Sequence, residues 1–103
     1  MSSFPHPTPD EFALPQVLYA LGDPTRLAIV SKLAECEGLS CGDVCCTIPR
    51  STLTHHLKIL REAGLVSTEK QGQTHINSLR KTDLEHRFPG LLSTILHQTT
   101  QLR

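Results

Sequence analysis

Residues 51–66 read STLTHHLKILREAGLV, and a helix through them has two faces of different character. Leu53, Leu57 and Leu60 share one face, which predicts a helix from Arg50 or Ser51 to about Ala63 with leucines inward. Gly64 predicts its end. The opposite face carries hydroxyls and cations at Ser51, Thr52, Thr54, His55 and Lys58. Hydroxyls, amides and cations near a helix N-terminus bind phosphate, so this face is either a nucleic-acid surface or an ordinary solvated one.

His56 falls beside the leucines of this helix and not on its polar face. A histidine on an apolar face is more often a buried, hydrogen-bonded residue than a ligand. We therefore expect His56 to have a structural role.

A β-hairpin is predicted directly after this helix. Residues 65–70 and 74–79 are β-prone and flank Gln71-Gly72-Gln73. The polar tip carries Lys70, Gln71 and Gln73, which are candidates for contacting a DNA backbone or minor groove. A last helix is predicted from Thr82 or Asp83, with an interruption at Pro89-Gly90.

Helices are also predicted before residue 50. The predicted segments are a first helix over 10–21 capped by Asp10, a second from Pro24 to about Cys36 capped by Asp23, and a third from Ser40 to Pro49. Pro15 has no N–H to donate, so the regular part of the first helix is expected to begin near it. Residues 1–9 carry three prolines and are expected to form a flexible arm, which leaves 10–103 as one domain. The order α-α-α-α-β-β-α predicts a mainly α winged helix-turn-helix.

Size and charge limit the possible functions. The 103 residues suffice for one domain, and four aromatic residues with no Trp predict a thin core that an oligomer would enlarge. The total charge is zero, but residues 1–49 carry two basic against six acidic side chains, and residues 50–81 carry six against two. The asymmetry indicates either a cationic face that could meet a polyanion or a chance block of solvated charge. No apolar run long enough to span a membrane and no signal-peptide pattern is present, so a cytoplasmic protein is expected.

Three segments carry a resemblance to a known family. LGDPTRLAIVSKL at 21–33, STLTHHLKILREAGLV at 51–66 and KQGQ at 70–73 resemble the ArsR/SmtB family of bacterial winged-helix repressors. The resemblance implies a homodimer through the first and last helices, a palindromic operator on double-stranded DNA, and release by an effector. Carried over by position, it implies DNA contacts at Ser51, Thr52, Thr54, His55 and Lys58. Further candidate DNA contacts are Arg50 and, at the hairpin tip, Lys70, Gln71 and Gln73.

The resemblance also suggests where an effector would bind. The arsenic-sensing pattern of the family, Cys-x-Cys-x-x-Cys, is only partly matched, because Cys45 fits and Cys41 is one place off. Cys41, Cys45 and Cys46 nevertheless lie within about one turn of the predicted third helix, where thiolates could bind a thiophilic metalloid or metal, or react with an oxidant. The alternative is that these cysteines only pack as small apolar side chains.

Zinc fits the sequence less well. His86 and His97 have the eleven-residue spacing of the family's zinc site, but Asp83 is one place off and Thr100 stands where a glutamate is needed. No cofactor is required by any motif. The remaining alternatives are a winged-helix regulator that binds an organic ligand, one that acts constitutively, and a module that binds another protein.

An enzyme is not expected. No Cys-x-x-Cys pair, no histidine adjacent to Cys41 and no glycine-rich phosphate loop is present, and the short chain leaves little room for a substrate pocket.

Overall fold

The computed structural model describes residues 5–36, 38–40 and 48–101. Within them a 3₁₀ turn, Pro9–Glu11, precedes five α-helices and three strands. The helices are α1 Leu14–Leu21, α2 Pro24–Glu35, α3 Arg50–Ala63, α4 Lys81–Arg87 and α5 Leu91–Gln101, and the strands are β1 Leu39–Ser40, β2 Val66–Gln71 and β3 Thr74–Leu79. A mainly α winged helix-turn-helix with a β-hairpin was predicted, and the fold confirms it. No helix in the described ranges is long and apolar enough to cross a membrane.

Helix α2 begins as predicted. The Asp23 carboxylate accepts a hydrogen bond from the backbone N–H of Arg26 at 3.0 Å, and Pro24 occupies the first helical position. That backbone hydrogen bond holds the pKa of Asp23 below its usual value, with the Arg26 charge adding to the effect. The helix ends at Glu35, one residue before the predicted end at Cys36.

The predicted start of the regular helix near Pro15 agrees with the structure, but the predicted N-cap at Asp10 is wrong. Asp10 lies inside the 3₁₀ turn, and α1 begins only at Leu14. Between the two, Phe12 and Ala13 have extended backbone, and the Phe12 ring is buried in the core. Burial of that ring redirects the chain, and Pro15 at the start of α1 has no N–H to extend a helix from the preceding turn.

Residues 6–9 cross the base of the hairpin. The backbone N–H of Thr68 donates to His6 Nε2 at 3.0 Å, and Arg80 Nη1 donates to the Pro7 carbonyl at 2.8 Å. Arg87 Nε donates to the Pro9 carbonyl at 3.2 Å. We call residues 5–9 the N-terminal arm.

The sheet has the order β1-β3-β2, and both pairings are antiparallel. The β2–β3 hairpin is the predicted one, with Val66 opposite Leu79 and Gln71 opposite Thr74. Gly72 turns the chain with φ +64°, a value that suits glycine. Strand β1 was not predicted. Its two residues are too few for an alternation pattern, and it pairs with Asn77 and Ile76, more than thirty residues away.

The core is formed largely by the predicted leucines of α3. Leu53, Leu57 and Leu60 are buried, together with Ile29, Val30 and Leu33 of α2. Gly64 ends α3 with φ +99°, and the N–H of Leu65 reaches back to the Leu60 carbonyl at 3.0 Å, as in a Schellman C-cap.

The last helical region is divided as predicted. Helix α4 ends at Arg87, and α5 begins at Leu91 after Pro89-Gly90, where Gly90 has φ +82°. The predicted third helix, Ser40–Pro49, falls mostly on residues 41–47, outside the described residues. Ser40 itself pairs with Ile76 in β1.

Candidate nucleic-acid interface

The outer face of α3 is exposed along the side predicted to be polar. Ser51, Thr52, Thr54, His55 and Lys58 are all exposed, as is Arg50 at the first position of the helix. The N-cap residue is Pro49, whose side chain has no hydrogen-bond acceptor and therefore does not cap the helix. The first amides of α3 therefore keep their capacity to bind an anion.

Thr54 has one hydrogen bond within the helix. Its hydroxyl donates to the Arg50 carbonyl at 2.9 Å. The proton of the hydroxyl is committed to the backbone, so an external group meets the oxygen lone pairs and the methyl group. A thymine methyl or a base amino group suits this presentation better than a phosphate does.

His56 lies half-buried on the inner side of α3, as expected. Its Nδ1 is 3.2 Å from Nη1 of Arg26. A guanidinium only donates, so Nδ1 must accept and the proton of a neutral ring sits on Nε2. Arg26 also donates to the carbonyls of Ala20 at 2.7 Å and Tyr19 at 3.2 Å, and thereby ties the end of α1 to α3.

Arg26 was missed as a structural residue by the sequence reading. It is 6% exposed and lies 5.2 Å from the Tyr19 ring centroid. A signal for its burial existed, since Arg26 precedes Ile29, Val30 and Leu33 at the i, i+3, i+4, i+7 spacing of one helical face.

We call the β2–β3 hairpin the wing, and its tip projects from the sheet. Lys70, Gln71 and Gln73 are exposed there, and a side chain placed at Gly72 would have nothing within 4 Å. The tip of the hairpin therefore presents polar and cationic groups to solvent.

A cleft of 270 Å³ separates α3 from the wing. We call it the helix–wing cleft, and it is lined by Arg50, Thr54, Leu57, Arg61, Thr68, His75 and Asn77. Arg61 and His75 were not among the predicted site residues. Arg61 shares one face of α3 with Arg50, Thr54 and Leu57, at the spacing i, i+4, i+7, i+11. This pattern identifies Arg61 as a site residue only when the hairpin is known to cover that face.

Two groups of residues were considered as effector sites, and the structure describes the histidine pair but not the cysteine cluster. Cys41, Cys45 and Cys46 lie outside the described residues. Cys36, which was assigned no role, is an exposed free thiol just after α2. His86 and His97 lie on different helices, α4 and α5, so their eleven-residue spacing does not run along one helix.

Apolar side chains remain exposed on α1. Leu14 is 42%, Leu18 47% and Tyr19 64% exposed. Leu91, Ile95 and Leu96 of α5 are only partly buried. These are the two elements at which the resemblance implies subunit contact.

Known proteins with the same features are transcriptional regulators. A family model described as a helix-turn-helix domain matches residues 21–69. The chain is 42% identical over 83 residues to the uncharacterized HTH-type transcriptional regulator YceK of Bacillus subtilis (strain 168), covering 78% of this chain and 83% of that protein. It is 35% identical over 80 residues to the arsenical resistance operon repressor of Staphylococcus xylosus, covering 71% of each.

A solved structure agrees with these relatives. The ArsR-like transcriptional regulator from Rhodococcus sp. RHA1 has a TM-score of 0.64 at 25% identity, over 86% of this chain and 85% of that one. Sequence relatives and fold thus confirm the resemblance found in residues 21–33 and 51–66. The chain belongs to the ArsR/SmtB family of winged helix-turn-helix transcriptional repressors, which are DNA-binding proteins and not enzymes.

Proposed function

We propose that this repressor works as a homodimer in the cytoplasm, binds a palindromic operator through α3 and the wing, and is released by an effector. The observation that supports DNA binding most directly is the exposed face of α3, which carries Thr54, His55 and Lys58. In this proposal His55 and Thr54 contact base edges in the major groove. The phosphate contacts come from Arg50, Ser51, Thr52, Lys58, Lys70, Gln71 and Gln73.

Dimerisation explains how a chain with no net charge would bind a polyanion. Two copies related by a twofold axis place two basic faces on one side of the assembly, and that symmetry matches a palindromic operator. In this proposal the exposed Leu14, Leu18 and Tyr19 of α1 supply apolar contact surface, and the partly buried Leu91, Ile95 and Leu96 of α5 add to it.

The operator is tested by fluorescence anisotropy with DNA fragments that include the promoter of the protein's own gene. We expect binding to one fragment to exceed binding to scrambled DNA by about 10³-fold or more, and log K to fall linearly with log salt. Nuclease footprinting should then protect two half-sites related by a dyad. A dimer with no preference for any fragment would contradict the proposal and favour a protein-binding module.

We predict that Leu18→Glu separates the subunits. A carboxylate at the centre of an apolar contact must be desolvated without a partner, so the dimer dissociation constant should rise by about 100-fold or more. Analytical ultracentrifugation over a concentration series measures it. Gln73→Glu, which adds the same charge at the exposed wing tip, should leave the dimer unchanged. An undisturbed Leu18→Glu dimer would place the interface elsewhere.

We propose that the effector is a thiophilic metalloid, metal ion or oxidant acting at Cys41, Cys45 and Cys46. Support comes from the three thiols within six residues and from the relative named as an arsenical resistance operon repressor. Operator binding should be measured with As(III), Zn(II) and peroxide, for the parent chain and for Cys41→Ser with Cys45→Ser. We expect at least one agent to weaken binding of the parent by about tenfold or more and to leave the double variant bound.

The control for this experiment is Cys36→Ser, since Cys36 is an exposed thiol outside the cluster. Release that survives the double change would exclude the cluster as the sensor. Operator binding that none of the agents weakens would contradict thiol sensing, and an organic effector or constitutive repression would replace it.

A further inference from the structure

A buried arginine connects the proposed subunit surface to the proposed recognition helix. The guanidinium of Arg26 on α2 donates to the carbonyls of Tyr19 and Ala20 in the last turn of α1. It also lies 3.2 Å from His56 Nδ1 on α3. We infer that Arg26 and His56 are positioning residues for operator recognition, because this bridge fixes the orientation of α3 relative to α1. The inference rests on the proposed function and adds to it a specificity role for two residues that are not among the proposed DNA contacts.

Each nitrogen of the Arg26 guanidinium has a different partner. Nε donates to the Ala20 carbonyl at 2.7 Å, Nη2 to the Tyr19 carbonyl at 3.2 Å, and Nη1 to His56 Nδ1 at 3.2 Å. A guanidinium is planar and its N–H groups point in fixed directions, so it reaches partners on two helices only within a narrow range of relative placements. The bridge is therefore a geometric constraint between α1 and α3.

The end of α1 is a favourable anchor for this arginine. Tyr19 and Ala20 provide two of the last four carbonyls of the helix, which ends at Leu21, and such carbonyls have no partner in the regular helical pattern. A cation at a helix C-terminus is also stabilised by the helix dipole. Arg26 is thus held against α1, and the hydrogen bond to His56 extends this anchor to α3.

Apolar packing holds α1 against α3 but does not fix the rotation of α3 about its own axis. Val17 of α1 and Leu57 of α3 belong to one buried core, and hydrophobic contacts are non-directional, whereas hydrogen bonds are directional. A second polar link, from Gln16 Nε2 to the Glu62 carbonyl at 3.4 Å, joins the start of α1 to the end of α3. The bridge through His56 fixes the other half of α3, which carries the proposed base contacts.

The two ends of the bridge lie beside the two proposed contact surfaces. On α3 the His55 and His56 rings have centroids 5.8 Å apart, and His55 is a proposed base contact. A rotation of α3 that broke the His56 hydrogen bond would therefore also move His55. On α1 the Tyr19 ring centroid lies 5.2 Å from the Arg26 guanidinium carbon, and Tyr19 is exposed on the proposed subunit surface.

In the proposed dimer the bridge sets the separation and angle of the two copies of α3. A palindromic operator presents two half-sites at a fixed distance, and each inserted base pair moves one half-site by about 3.4 Å along the duplex and rotates it. A bridge that holds α3 in one orientation therefore favours one spacing of half-sites. Scrambled DNA is bound through its phosphates and imposes no such spacing.

The first test changes only the acceptor on α3. Asparagine at position 56 keeps an acceptor oxygen as many bonds from Cβ as Nδ1 is, whereas leucine has nearly the same shape and no acceptor. We expect His56→Leu to weaken operator binding by about 10-fold to 30-fold, with scrambled DNA bound within about twofold of the parent and an unchanged salt slope. His56→Asn should bind the operator within about threefold of the parent. Helix propensity would give the reverse order, because leucine is the better helix former.

The controls separate positioning from folding. Urea denaturation verifies that each variant is folded under the binding conditions, and His56→Ala replaces His56→Leu if the latter does not fold. His86→Leu removes an exposed imidazole from α4 and should change neither operator nor scrambled DNA binding. Unchanged operator affinity in His56→Leu, equal losses on operator and scrambled DNA, or equal losses in His56→Leu and His56→Asn would overturn the inference.

The second test measures the preferred spacing of the half-sites. Operators with one or two base pairs inserted or removed between the half-sites are titrated with the parent, His56→Leu and Arg26→Lys. We expect a change of one base pair to cost the parent about tenfold or more and to cost either variant less than about threefold, because α3 is then free to rotate. A dependence on spacing that is as steep in both variants as in the parent would overturn the inference.

Failure of the inference and failure of the proposed function give different results. A parent chain that prefers no DNA fragment contradicts the proposed function, and the inference with it, before any variant is made. A parent that binds its operator, with a His56→Leu variant that keeps both affinity and spacing preference, overturns the inference alone. Ultracentrifugation should give the same dimer dissociation constant for the parent and His56→Leu. A weakened dimer would assign the bridge to subunit contact and overturn its role in positioning α3.

Discussion

Replacing His55 and Lys58 together with alanine is expected to abolish specific operator binding, with an affinity loss of about 100-fold or more. Each good base contact contributes about 1–3 kcal/mol of discrimination, and Lys58 adds a backbone charge that scrambled DNA also meets. Both side chains are exposed, and alanine is the best helix former, so α3 should fold at least as stably as before.

Fluorescence anisotropy against the footprinted operator measures the loss, and ultracentrifugation confirms that the subunits stay associated. A matched control is His86→Ala with Lys32→Ala, which removes an exposed imidazole and an exposed ammonium from α4 and α2. We expect the control to bind within about twofold of the parent, since rim charges away from a DNA face act only through screened long-range attraction. Operator affinity that survives the change at His55 and Lys58 would remove α3 as the recognition helix.

The second large effect is expected at Gly64, where Gly64→Ala should lower the free energy of unfolding by about 2–5 kcal/mol. The residue has φ +99°, a conformation that costs a side chain about 1–2 kcal/mol. A Cβ built there would also lie 2.5 Å from Cδ1 and 2.8 Å from Cζ of Phe12, so the buried ring must move. Overpacking of this kind adds about 1–3 kcal/mol.

Urea denaturation of three variants separates the two terms. Gly72→Ala and Gly90→Ala share the left-handed backbone, with φ +64° and +82°, but a Cβ at either position meets nothing within 4 Å. They should therefore show only the conformational cost, about 1–2 kcal/mol. If Gly64→Ala were no less stable than these two, contact between residue 64 and Phe12 would not constrain the fold.

Local patterns in the sequence were sufficient for the elements near the candidate interface. The leucine spacing of 53, 57 and 60, the glycine at 64 and the turn at 72 are each set by neighbours within a few residues, so helix, cap and hairpin could be predicted. The polar side of α3 followed from the same periodicity, since a helix that buries one face leaves the other to solvent.

The features that were missed depend on contacts between distant residues. Arg26 is buried because it finds two carbonyls at the end of α1 and His56 thirty residues away. Arg61 faces a cleft only because the wing folds beside it. Pro15 indicated where the regular part of the first helix begins, but the N-cap was misplaced at Asp10 because the packing of the Phe12 ring next to Gly64 depends on a residue far along the chain.

The N-terminal arm has a consequence for how copies of this protein coexist at high concentration. Strand β2 is the outer strand of its sheet, and its Thr68 amide points away from β3 to a partner on the arm, His6. An edge strand with unpaired backbone N–H and C=O groups can pair with a strand of another molecule. Because His6 occupies one donor on this edge, we expect the N-terminal arm to reduce the addition of other chains to β2. The tip of the hairpin stays exposed.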